Sequence, residues 1–399
     1  MSEEKLVPKL RFAGFDNDWI ENKIGNIFEI KNGLNKGKEY FGNGIQILNY
    51  MDVNKHEINN EHDIKGLVEL TDEEIERFSV KPNDLFFTRT SETSNEIGLT
   101  SAYVGNAVKC VFSGFLLRAR PKIDVNSIFF SYYLRSPKQR ANIIKFSSIT
   151  TRALISSGNL SKMKIKFPSK KEQDKIAYLF INIDKKIKFL EKKHENYQNF
   201  KMYLMQQIFA QKLRFDYDDE WKTVKIKDIF DERSEKGFDD LELLSVTLND
   251  GVIKRSEIEG KDNSNDNKSN YKHVLPEDIV YNSMRMWQGA SGVSSYEGIV
   301  SPAYTILIPK NVYSKFFGYY FKIPEMIHQF KKYSQGLTSD TWNLKYPLIS
   351  EIKLKIPSIN EQKEITKLFE TIDDKIEIIQ NNIFEVTNFK KGLLQQMFV

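Results

Sequence analysis

A stretch of 46 residues occurs twice in this chain, from Lys164 to Phe209 and from Lys353 to Phe398. The copies align without a gap at an offset of 189 and share 20 identities, among them Pro168/Pro357, Glu172/Glu361, Gln173/Gln362, Phe180/Phe369, Asp184/Asp373, Gln206/Gln395 and Gln207/Gln396. A module present twice in one chain needs equivalent surroundings for both copies, so the repeat predicts two like halves. A shorter repeat obeys the same logic. Leu10-Arg11-Phe12 leads to Trp19 and KIGNIF, and Leu213-Arg214-Phe215 leads to Trp221 and KIKDIF. The order is circular: the continuation of the second long copy is found at the N-terminal end of the chain. This predicts a pseudo-two-fold object with its ends close together.

Each long copy carries a heptad seam with steps of four and three. The first runs Ile176, Phe180, Ile183, Ile187, Leu190, His194, Tyr197, Lys201, Leu204, Ile208, and the second runs Ile365, Phe369, Ile372, Ile376, Ile379, Ile383, Val386, Lys390, Leu393, Met397. Such spacing predicts two coiled-coil helices of ~60 Å, each entered just after a proline. The first is basic, with 13 basic and five acidic residues from Lys164 to Phe215, whereas Pro347 to Val399 holds seven and eight. The insert between the helices is short enough for a radius of gyration of only ~14 Å, and parallel rods would need its ends ~60 Å apart. The helices are therefore expected to be antiparallel. The expected fold is α+β, with two globular mixed α/β domains separated by the coiled coil. Residues 1–159 and 213–346 form the domains, and 160–212 and 347–399 form the helical regions. Between the repeats only a faint echo survives, KPNDLFFTRT from Lys81 against LPEDIVYNSM from Leu275.

Other function classes lack their marks. A single cysteine, Cys110, excludes an intramolecular disulfide, and the five histidines show no metal-ligand spacing. No run approaches the roughly 18 apolar residues of a membrane span, and MSEEKLVPKL has no signal-peptide core, so a cytoplasmic protein is expected. There is no GxxxxGK[ST] loop, no glycine-rich nucleotide fingerprint and no Asn/Asp-Pro-Pro-aromatic methyltransferase motif. Neither a catalytic residue, a metal site nor a cofactor of its own is expected.

The charge distribution points to nucleic acid. From Val125 to Lys171 the chain has no acidic residue and ten basic ones, with FSSITTRALISSGNLS threaded among them. Fixed positive charge with small hydroxyl and amide groups suits phosphates and base edges. The corresponding segment of the second half is KKYSQGLTSDTWNLKYP, Lys331 to Pro347. Two polar loops follow apolar strand-like runs, TRTSETSNEIG (Thr88 to Gly98) and NSMRMWQGASG (Asn282 to Gly292). Arg and Gln are side chains that read guanine and adenine. The aromatic clusters SIFFSYYLRS and SKFFGYYFKI read as buried helices, and KDNSNDNKSN, from Lys261 to Asn270, reads as a flexible loop.

Taken together, LRF…W…KIGNIF, the KPNDLFFTRT and LPEDIVYNS segments, the NLSKMKIKFPSKKEQ and NLKYPLISEIKLKIPSINEQ junctions, and helices ending in MQQIF and LLQQMF resemble the specificity subunit of type I restriction-modification systems, over nearly the whole chain. The resemblance implies two target recognition domains that read a bipartite, asymmetric double-stranded DNA site. It also implies partners: two methyltransferase subunits that bind S-adenosylmethionine, and restriction/translocase subunits. By position it implies DNA contacts from Ser147, Ser148, Thr151, Arg152, Asn159, Thr338, Trp342 and Asn343. Arg89, Arg285 and Gln288 in the polar loops, and Lys145 and Lys345 in the junctions, complete the candidates. At Ser339-Asp340-Thr341-Trp342 the second junction lacks a counterpart of Arg152. Two other classes stay open from the residues alone, a self-contained DNA methyltransferase or endonuclease and a coiled-coil scaffold without DNA. If the helices act as a ruler, inserting one heptad into both lengthens the spacer by ~10 Å and widens the preferred gap between half-sites by roughly three base pairs, as methylation mapping would show.

Overall fold

The computed structural model describes residues 7–106, 109–149, 152–217, 219–248, 250–260, 264–265, 267–338 and 341–399, with Ile149 described by its backbone alone. The chain divides into two compact units, Met1–Glu191 with Asn381–Val399, and Lys192–Gln380. The long helices are Lys170–Phe209 and Ile359–Gln396, each beginning two residues after its proline. Each unit therefore contains a part of both.

The first unit is built on a five-stranded sheet. Its order is Phe28–Asn32, Leu116–Pro121, Leu85–Thr88, Thr100–Tyr103, Ile58–Asn59, antiparallel except at the last pair. Helix Ser127–Arg135 lies in the core with Phe129, Phe130, Tyr132 and Tyr133 buried. The N-terminal strand Ile20–Lys23 pairs with Lys164–Phe167, the strand that leads into the first long helix. Ile176, Phe180 and Ile183 join Leu393, Met397 and Phe398 in this core. Phe180 stacks on Phe398 at 5.6 Å, and Asp184 meets Lys390 at 2.6 Å, so the helix segments run antiparallel.

The second unit repeats the plan in reduced form. Its four-stranded antiparallel sheet has the order Phe230–Arg233, Tyr304–Pro309, Ile279–Asn282, Ser291–Val293. Lys222–Lys225 pairs with Lys353–Ile356. Helix Ser314–Tyr320 buries Phe316 and Phe317. Phe209 stacks on Phe369 at 6.0 Å and Lys201 meets Asp373 at 2.5 Å, again antiparallel. Every described seam position of both helices is buried or half-buried.

The residues shared by the two copies are polar anchors as much as core. Glu172, 1% exposed, accepts two 2.8 Å hydrogen bonds from the Arg11 guanidinium, and Glu361 accepts two of 2.9 Å from Arg214. Gln173 donates to Pro168 O and accepts from the Asn126 N–H, while Gln362 does the same with Pro357 and Tyr313. The two lysines in the apolar seam have their explanation here. Asp184 takes the Tyr132 hydroxyl and Lys390, and Asp373 takes the Tyr319 hydroxyl and Lys201. The circular repeat closes through one bond: Leu10 N–H donates to Gln396 O at 3.0 Å, as Leu213 N–H does to Gln207 O at 3.2 Å.

The units differ beside the lysine. In the first, Glu57 also receives Lys390, at 3.1 Å. In the second, Lys201 opens onto a cavity of about 880 Å³. Burial alone would raise the Glu57 carboxyl, but Lys390 and Arg135 outweigh it and hold the group below its ordinary value. A carboxyl depressed in the folded state stabilises above its unfolded value of about 4.3 and loses that contribution as pH falls through the folded one. Acid titration followed by circular dichroism should show this limb, and Glu57→Gln should flatten it. Glu361→Ala removes the buried carboxylate that meets both Arg214 and Trp221 and should destabilise the fold by about 3–5 kcal/mol in denaturant titrations.

Candidate nucleic-acid interface

In the first unit, helix Pro137–Phe146 stops at Ser147, whose hydroxyl donates to Ile144 O at 2.7 Å. The chain then forms Ser148–Ile149, which pairs with Ala153–Leu154, which pairs in turn with Thr90–Ser91. This small sheet joins the Thr88–Gly98 loop to the junction. Ser148 and Arg152 are exposed on it, and Lys145 is exposed on the last turn of the helix before it. A cavity of about 410 Å³ opens beside them, lined by Tyr50, Thr90, Glu92, Glu96, Phe115 and Arg152 among others. Arg89 is half-buried and donates to Gly114 O at 3.3 Å. Asn159 donates its amide to Phe146 O at 3.2 Å, tying the junction to the helix end. Thr151 lies outside the described residues.

The acid-free window does not form a single phosphate face. Arg135 is spent on Thr100 O and Val53 O, and Arg140 on Asn95 O and Ile97 O. Lys164 pairs with Glu21 and Lys170 with Asp174. Helix ends, turns and strand ends leave carbonyls that need donors, and these arginines supply them. Lys138, Lys145, Arg152, Lys162 and Lys171 remain exposed.

In the second unit an antiparallel bridge closes the junction. Gln335 and Asn343 exchange both backbone bonds, at 3.1 and 2.8 Å. Gly336 has φ +152°, and a Cβ there would stand 2.6 Å from Thr341 O, so the turn requires glycine. Thr338 N–H donates to the Thr341 hydroxyl at 3.1 Å, leaving the Thr338 side chain exposed. Ser339 and Asp340 lie outside the described residues, as does part of the 261–270 loop. Trp342 meets Trp287 edge to face at 5.3 Å, with the Lys331 ammonium 5.5 Å from its ring. Arg285, which precedes the short Met286–Gln288 turn, and Gln288, which ends it, are exposed, and Lys345 is exposed beside a second cavity of about 420 Å³. Asn343 is half-buried, and its Oδ1, fully shielded, has no hydrogen-bond partner among the described residues.

One backbone bond aligns the two sites. Ile155 N–H donates to Arg89 O at 3.0 Å, and Leu344 N–H donates to Ser283 O at 2.8 Å. Each therefore presents a junction and a polar loop side by side, with unlike side chains: Arg152, Glu92 and Ser148 in one, Arg285, Gln288, Lys331 and Trp342 in the other. Trp287 and Lys331 stood within segments that the sequence singled out. Tyr50 and Phe115 carried no local signal, because they reach the site from distant parts of the chain.

A type I restriction modification DNA specificity domain model matches residues 16–197 and again 218–388. The chain belongs to this specificity family. It is 25% identical to the putative type I restriction enzyme MjaX specificity subunit of Methanocaldococcus jannaschii, over 98% of this chain and 95% of that protein. Its fold resembles the S subunit from M. genitalium, with a TM-score of 0.56 at 16% identity over 98% and 99% of the two chains. It also resembles a chain from a structure of type I complex assembly and conformational transition, with a TM-score of 0.58 at 11% identity over 97% and 99%. Among the described residues no helix is long and apolar enough to cross a membrane, and no cluster of His, Cys, Asp or Glu is placed to hold a metal. The specificity subunit recognises DNA. Lys331→Ala should weaken binding evenly across sequences and reduce the salt slope by about one, while Arg285→Ala should relax selectivity in one half-site by ~1–3 kcal/mol, both read by fluorescence titration of duplexes.

Proposed function

We propose that the two units read the two halves of a bipartite, asymmetric DNA site and that the chain directs partner methyltransferase and restriction subunits to it without chemistry of its own. The observation that carries this reading is the shared Ile155–Arg89 and Leu344–Ser283 frame displaying different side chains. One frame with two chemistries suits a split site with unlike halves. The contact set follows from exposure: Arg152, Ser148, Lys145 and Asn159 in the first unit, and Arg285, Gln288, Thr338 and Lys345, with the half-buried Trp342, in the second. Ser147, Asn159 and Arg89 hold these loops through hydrogen bonds to the backbone.

The helices support two copies of one partner. Phe189 and Ile378 are equivalent in the repeat and are 61% and 60% exposed, and Phe200 and Phe389 are equivalent and 49% and 59% exposed. Large apolar side chains kept off the seam at matching positions suit a repeated docking surface. S-adenosylmethionine would belong to those methyltransferase partners.

Incubating the pure chain with duplex DNA and S-adenosylmethionine should give no methyl transfer, and adding the methyltransferase partners should give transfer at one split motif. Transfer by the chain alone would overturn the reading. Phe200→Asp and Phe389→Asp should each weaken the docking of one partner copy, seen as a loss of one methyltransferase mass in native mass spectrometry.

A further inference from the structure

We propose that Arg152 and Glu92 together read a single C·G base pair in the half-site of the first unit. This rests on the reading that the junction sheet faces DNA, and it deepens that reading by naming the bases.

The presence of Glu92 on this surface needs a reason. It is exposed, with 85% of its side chain open, beside a junction whose other charges are basic. A carboxylate next to phosphates is repelled, so it belongs at a DNA face only if it accepts from a base. On the major-groove edge the donors are the amino groups of cytosine N4 and adenine N6. The neighbour of Glu92 decides between them. The planar guanidinium of Arg152 suits two adjacent acceptors, and guanine offers these as O6 and N7. A C·G pair shows the cytosine donor next to the two guanine acceptors, which complements a carboxylate beside a guanidinium.

The geometry keeps both groups available. The Arg152 Nη2 to Glu92 Oε1 distance is 3.9 Å, beyond a hydrogen bond. The structural pairs of the same unit are closed, Arg11 with Glu172 at 2.8 Å and Arg120 with Asp84 at 2.7 Å. The open pair is spaced as two groups landing on neighbouring atoms of one edge. Its loop is held from below: the Ser91 hydroxyl donates to Glu96 at 3.1 Å and accepts the Thr93 N–H at 3.2 Å, and Tyr50 bonds Glu96 at 3.3 Å. Glu96 therefore fixes the loop and leaves Glu92 available. The equivalent loop of the second unit, Asn282 to Gly292, contains no acid, so the pair is specific to one half-site.

The test uses the chain assembled with its methyltransferase partners, with methylation mapped across a library in which every position of the site is randomised. One half of the wild-type motif should contain a C·G pair. Arg152→Ala should lose discrimination at that pair by about tenfold or more. Glu92→Gln should move the same position toward adenine, because a glutamine amide pairs bidentately with adenine; a new preference cannot arise from misfolding. The proposal falls if both halves lack a C·G pair, if the two variants alter different positions, or if Glu92→Gln keeps the wild-type preference. If instead Arg152→Ala leaves both affinity and selectivity unchanged on all sequences, the junction does not face DNA and the interface reading itself is lost.

Discussion

Two buried carboxylates govern this architecture. Glu172 and Glu361 sit in the first turns of the long helices, almost without solvent, each gripping an arginine from the short repeat that precedes an insert. A carboxylate in that position is tolerable only when its lone pairs are filled and its charge is met. The arginine must therefore arrive, and with it the tryptophan, the pairing strand and the entry to the next sheet. The bidentate geometry sets direction as well as distance. From this contact the rest of each unit follows: the strand before the helix is paired, the sheet is seated, and the aromatic helix closes over it.

The second constraint is the lysine in each seam. A charge at an apolar helix interface costs stability unless it is paired, and it narrows the registers a coiled coil can adopt. Lys201 and Lys390 each find an aspartate that is also bound by a tyrosine from the neighbouring insert. One cluster thus joins two helices and an insert. It specifies register and insert position together, which a purely apolar seam does not do.

Much of this was legible because it is repeated. The ungapped offset placed Pro168 and Pro357 at the helix starts, the heptads named the buried faces, and the circular order anticipated the Leu10–Gln396 closure. The antiparallel sense came from the short span of one insert. The interface was less legible. Arg135 and Arg140 look in sequence like Arg152, yet burial and carbonyl partners make them structural, and only tertiary contacts separate them. Arg89 is half-buried against Gly114 O, and Asn159, although exposed, already gives its amide to Phe146 O. The cavity beside Arg152 depends on Tyr50 and Phe115, residues about 100 and 40 positions away. Periodicity reports what is shared, whereas recognition chemistry sits where the halves differ.

The bond from Leu10 to Gln396 has a topological consequence. Leu213 makes the same bond to Gln207 within an unbroken stretch, so one contact serves both with and without a peptide link across it. Splicing the present ends through a linker that copies the 208–212 turn, and opening new ones there, would give a circular permutant with the same anchors and seam. In this sense helix and insert alternate along the chain, and each insert is entered through the same leucine-to-glutamine bond.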